Sequence, residues 1–221
     1  MLKVRYVRLK LDPVVLKSLS QRAYSLGSSQ LQVVQVDSSG FVLRYTTIRH
    51  LSAIEILGDG TERTTSIPTM ERHSLRIFTA GSHAFMALLD PPRGSRIQTD
   101  VLSALIPDQN YFLEPLEISK PLISRHIKEF DSARLVSAKV RDLRITENAV
   151  GRLEVTSKEG LEDDLAPMLQ GKFYRIDSMT YEVTHDFKRG LVTYISNGTV
   201  RVTSPLVEVA FPKFEHVLGN I

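Results

Sequence analysis

The sequence predicts an α+β protein dominated by antiparallel sheet, with two lobes that each carry a helix followed by a β-hairpin or meander. Three observations point there. Residues 171–204, GKFYRIDSMTYEVTHDFKRGLVTYISNGTVRVTS, read as three strands in succession. LQVVQV and FVLRYTTI flank Asp37-Ser38-Ser39-Gly40 as a hairpin with a four-residue loop. The apolar stripes with helical spacing are few and short.

Leu2 to Leu11 reads as a strand whose apolar phase shifts, from Leu2, Val4 and Tyr6 to Val7, Leu9 and Leu11. Its cations Lys3, Arg5, Arg8 and Lys10 suit a sheet edge, where charge blocks unwanted pairing, or a basic strip facing nucleic acid. Asp12-Pro13 opens a helix, with Asp as cap and Pro at the first position. Val15, Leu16, Leu19, Ala23 and Leu26 form its stripe, and Gly27 ends it. The first hairpin follows, then AIEIL, a turn at Gly58-Asp59-Gly60, and the strands SLRIFTAG and HAFMALLD.

Asp90 to Arg96 is a loop, and VLSALI a short helix. YFLEPLEIS reads as a strand. Ser119, Lys120 and Pro121 start a connecting helix, with His126 on its inner or border side. From Arg134 the chain returns to strand, with a phase change before Leu143 and a turn near Glu147-Asn148. LEDDLAPML is a short helix with acids in its first turn. The expected organisation is an N-terminal lobe over 1–118, a connecting helix over 119–133 and a β-rich lobe over 134–221. The apolar tail LVEVAF packs or pairs. Gly27 and Gly171 each precede a hairpin, an echo compatible with duplication or with coincidence.

In the last meander, Asn197-Gly198 predicts a two-residue type I′ turn. That turn sets Ser196 against Thr199 and Tyr194 against Arg201, so a guanidinium can lie on a ring on an open sheet face. The phase slips near Asp177-Ser178, which suggests a bulge. Asp186 to Gly190 is expected as the connecting loop.

The chain has 221 residues, 42% hydrophobic and 24% charged, enough for a sizeable core. No apolar run approaches the ~20 residues of a membrane helix. The charged N-terminus lacks a signal-peptide core. The absence of cysteine removes disulfides, zinc–thiolate sites and thiol nucleophiles. A cytoplasmic protein without a membrane partner is the expectation. The net charge of +3 permits contact with nucleic acid without requiring it.

His50, His73, His83, His126, His185 and His216 form no metal-binding spacing. Phosphate-loop, dinucleotide, nucleophile-elbow and kinase signatures are missing. No cofactor, metal or catalytic set is therefore assigned, and the balance is against an enzyme. The leading expectation is a non-catalytic binding or assembly subunit of an intracellular protein or nucleoprotein complex, with a protein partner or self-association. The second is a nucleic-acid-binding module using Arg93, Arg96, Lys188, Arg189, Tyr194 and Arg201 as an anion-binding set. The third is a magnesium-dependent nuclease in which Asp108, Glu117 and Lys120 hold the ion and orient water. The acids Asp163, Asp164, Asp177, Glu182 and Asp186 could also converge in the meander, although helix-end and turn preferences account for them.

Overall fold

The computed structural model describes residues 1–26, 30–92, 96–107 and 110–220. The chain runs β1 (Leu2–Lys10), α1 (Pro13–Leu26), β2 (Leu31–Val36), β3 (Gly40–Ile56), β4 (Glu62–Ala80), β5 (His83–Leu89), α2 (Ile97–Leu105), β6 (Phe112–Pro115) and α3 (Lys120–Ile127). It continues with β7 (Ser132–Thr146), β8 (Ala149–Thr156), α4 (Glu162–Leu169), β9 (Arg175–His185), β10 (Lys188–Ile195), β11 (Thr199–Val202), a 3₁₀ turn at Ser204–Leu206 and α5 (Val207–Leu218). The fold is α+β, with about 52% strand against 24% helix and all strand pairs antiparallel. One sheet has the order β2-β3-β4-β5-β1-β11-β10-β9-β7-β8, and β6 also pairs with β1.

Several local signals act as their chemistry requires. Asp12 Oδ1 accepts from Val14 N at 2.7 Å, and Val15, Leu19 and Ala23 are buried along α1. Gly27 lies outside the described residues. The pairing of β7 with β9 jumps from Lys139–Ser178 to Val140–Ile176, which leaves Asp177 as the extra residue of a bulge. Its freed carbonyl accepts from Ser196 N at 3.0 Å and so braces the next turn.

The expected edge position of β1 is overturned. β1 pairs with β5 over Val4–Leu9, and its other side is shared by β11 and β6. Val4 and Tyr6 join one buried cluster, Val7 and Leu9 the other. Because successive residues face opposite ways, the two clusters lie on opposite faces of β1. The change of apolar phase is therefore two-sided burial of a central strand, with no break in its register against β5. Three of the four cations have local partners, whereas the buried Nε of Arg5 has no hydrogen-bond partner among the described residues. Lys3 Nζ donates to Pro91 O at 2.8 Å, Arg8 contacts His83, and Lys10 pairs with Glu114 at 3.0 Å. On one face α1 and α2 cover β1 and its neighbours towards β3. On the other, α3 and α5 cover the sheet from β1 towards β7.

The register of the last hairpin also differs from expectation. Ile195 pairs with Thr199, Tyr194 with Val200, and Thr193 with Arg201. Ser196, Asn197 and Gly198 thus form a three-residue loop, in which a turn is followed by a left-handed glycine. Gly198 has φ +83°, and its N–H donates to Ile195 O at 3.2 Å. One extra loop residue turns Tyr194 inward and Arg201 outward, so the open Tyr–Arg face does not form. At the other end of β10 the turn is only Asp186-Phe187, with φ of +49° and +63°. Lys188 and Arg189 lie in the strand rather than in the expected five-residue loop. The tail expected to pair or pack forms α5, with Phe214 fully buried.

Candidate interaction arm and charged clusters

The β3–β4 hairpin outgrows the body of the sheet. Its register is unbroken from Gly40–Phe78 to Ile56–Glu62. Yet β2 pairs with β3 only as far as Tyr45, and β5 with β4 only from Leu75. Beyond those limits a two-stranded ribbon extends roughly 35 Å, at about 3.4 Å per residue. Its tip is closed locally: Leu57 N donates to Thr61 O, and Asp59 Oδ1 accepts from Thr61 N and Oγ1 at 3.0 and 2.6 Å.

Nothing covers the apolar side chains of this arm among the described residues. Ile48, Leu51, Ile54, Ile56, Ile67 and Met70 are 50–73% exposed. Cross-strand partners share a face, so Ile48, Met70, Pro68, Ile54 and Ile56 line one side while Leu51, Ile67 and Ala53 line the other. An isolated two-stranded ribbon is marginal in water, and contiguous exposed apolar surface marks contact sites. The charges are also graded. Glu55, Asp59, Glu62 and Arg63 occupy the tip, while Arg44, Arg49 and Arg72 stand nearer the body, with Glu71 3.1 Å from Arg49.

The residues of the expected anion-binding set do not converge. Arg93 lies outside the described residues. Arg96 is exposed before α2. Arg201 is exposed on β11, opposite Lys3 and Thr193. Lys188 is exposed at the far end of β10, about 17 Å along the strand from Thr193 at 3.4 Å per residue. Arg189 Nη2 donates to Glu182 Oε2 at 2.6 Å, beside Arg134, and these two cations hold the Glu182 carboxyl below its ordinary range. Tyr194 is 1% exposed and belongs to the core. In the nuclease set, Asp108 lies outside the described residues, Glu117 falls beyond β6, and Lys120 Nζ donates to Tyr174 Oη at 2.8 Å.

The inner side expected for His126 is found, but the partners that form three long-range polar groups have no sequence signal. His126 is fully buried among Phe130, Tyr194 and Phe214. Its Nε2 lies 2.9 Å from Ala210 O, which can only accept, so Nε2 carries the proton. Nδ1 then accepts from Tyr194 Oη at 2.6 Å. This joins α3, β10 and α5. Burial pushes the imidazole down to about 4, against the stabilising effect of the Ala210 bond.

The second group joins β4 to α5. Arg76 Nη1 donates to Asp37 Oδ2 at 2.7 Å and Nη2 to Ser39 Oγ at 2.9 Å, while Nε lies 3.1 Å from Glu215 Oε2. Burial pushes the Glu215 carboxyl up to about 7, and Asp37 reinforces the rise while Arg76 opposes it. The group borders a cleft of about 550 Å³ lined by Phe78, Gly81, Pro212 and His216. A carboxyl with that affinity can exchange a proton near neutrality. The third group is Asp131, His185 and Asp186, whose ligand atoms lie within 4.8 Å of one another. They could hold a divalent cation; Asp186 N also donates to Asp131 Oδ2 at 2.9 Å. Of the acids expected to converge in the meander, Asp186 enters this group, whereas Glu182 serves Arg134 and Arg189.

Compared with known proteins, the chain matches no protein-family model and no curated protein.

Proposed function

We propose that this chain is a non-catalytic binding or assembly subunit of a cytoplasmic complex, and that the β3–β4 arm is its docking element. The observation that carries the reading is the arm itself. It is a long ribbon with exposed apolar residues on both faces and unpaired backbone along its sides. The division into lobes at 1–118 and 134–221, joined by 119–133, belongs to the same proposal, with the arm on the first lobe.

Nucleic acid fits less well. From Ile48 to Met70 the arm carries Arg49 and Arg63 against Glu55, Asp59 and Glu62, so it offers no cationic track for phosphates. The basic residues elsewhere are dispersed or paired. The nuclease reading has only Glu117 and Lys120 among the described residues, and Lys120 is engaged by Tyr174.

The test replaces residues 49–68 by a two-residue turn. The shortened chain should fold with an unchanged near-UV spectrum. In nuclease-treated native extract the intact chain should elute well above monomer size, and the shortened chain as a monomer. Identical elution of the two chains refutes the arm as docking element. Collapse of the large species on nuclease treatment favours the nucleic-acid reading.

A further inference from the structure

Building on the assembly reading, we infer that the arm's occupant is the same arm of a second copy, paired antiparallel through the free edge of β3 and centred on Ser52.

The two edges of the arm differ in kind. β4 has Pro68 in its unpaired stretch. Proline has no N–H to donate, which is a standard block to strand addition. β3 beyond Tyr45 reads TTIRHLSAIEI, with no proline, glycine or lysine, and its ladder to β4 is free of bulges. An edge this long and this apolar is open to pairing. The side that β2 leaves uncovered therefore presents about five outward N–H and five outward C=O groups over residues 47–56.

The sequence along that edge complements itself. Take Ser52 as a two-fold centre, so that residue 52−n faces residue 52+n of the other copy. Leu51 then meets Ala53, His50 meets Ile54, Arg49 meets Glu55, and Ile48 meets Ile56. Directly opposed residues lie on one face with Cβ atoms about 5 Å apart. Leu51 and Ala53, and Ile48 and Ile56, thus meet as apolar pairs, and His50 lies against Ile54. The only two charges in the span form two symmetric ion pairs, Arg49 being shared with Glu71 of its own chain at 3.1 Å. Shifting the register by two residues destroys this match, because Arg49 then faces Ala53 or Leu57. The grading of charge along the arm agrees: antiparallel pairing sets the acidic tip of one copy beside the basic root of the other. Such an interface is isologous and closes on itself, so the product is a dimer, not a fibre.

The chain has no cysteine, so one introduced thiol is unambiguous. At the two-fold, Ser52→Cys brings two thiols together with Cα atoms about 5 Å apart, within disulfide range. Under mild oxidation Ser52→Cys should form a covalent dimer at least tenfold faster than Thr64→Cys, on β4. By sedimentation, Arg49→Glu and Glu55→Arg should each weaken the wild-type dimer at least tenfold, and the double exchange should restore it. Equal oxidation rates for the two thiols, or a dimer indifferent to the charge reversals, overturns the proposal. A monomeric wild-type chain whose arm is still required for a nuclease-resistant complex also overturns self-pairing, while leaving the assembly reading intact.

Discussion

His126→Ala should cost about 3–5 kcal/mol of stability in urea unfolding, the range for a large-to-small change in a closed core. The side chain is fully buried, and its removal leaves both the Tyr194 hydroxyl and the Ala210 carbonyl without their bonds. His126→Phe should recover the packing part alone. A loss below about 0.5 kcal/mol for His126→Ala contradicts the assigned network, because that is within the range of an ordinary surface change.

The same histidine sets a pH dependence, and Glu215 sets an opposing one. Folding lowers the His126 value from 6.5 to about 4. The unfolded chain binds a proton more readily, so stability falls as pH drops from 6.5 to 4, by about 3 kcal/mol in all. Folding raises the Glu215 value from 4.5 to about 7. Its contribution is fully present below 4.5 and is lost as pH rises to 7, again by about 3 kcal/mol. Between pH 4.5 and 6.5 these two slopes oppose each other. Glu215→Gln should therefore expose a stability that rises with pH across that window, and His126→Phe one that falls. Parallel profiles for wild type and both variants contradict the assignments.

Gly198→Ala should cost about 2–4 kcal/mol, from positive φ and steric conflict together. A Cβ there would sit 2.4 Å from Tyr6 O and 2.9 Å from Leu116 O, both backbone atoms that cannot yield alone. The residue also ties the loop to the central strand, since Tyr6 N donates to Gly198 O at 2.8 Å. Gly171 provides the control. Its φ is +71°, but a Cβ there meets nothing within 4 Å. Gly171→Ala should pay only the conformational cost of about 1 kcal/mol. Equal losses at the two glycines contradict the close approach at Gly198. Chemical denaturation of both variants is the check.

Features set by near neighbours were legible in the chain. Asp12 announces its helix because capping spans two residues. The Asp177 bulge shows as a phase slip within one strand. Asn197-Gly198 marks its turn, but a dipeptide does not distinguish two loop residues from three, and one residue decides whether Tyr194 faces solvent or core. Two-sided burial of β1 was hidden because an apolar phase shift has the same pattern as a bulge. The polar groups in the core were invisible for a different reason. His126, Tyr194 and Ala210 are 68 and 84 residues apart, and no spacing rule spans such distances. The arm fell between these cases. Its turn and separate pieces of its strands could be read, whereas the continuity of β3 and β4 and their projection depend on long-range pairing and on where β2 and β5 stop.

Amide hydrogen exchange along β3, followed as protein concentration rises, tests arm-mediated assembly most directly. Within residues 47–56, alternate amides should slow with concentration, since only alternate N–H groups point to the free edge. The amides of β4 from Arg63 to Ile67 should keep a constant rate. Exchange over 47–56 that is independent of concentration up to about 1 mM contradicts self-pairing of the arm.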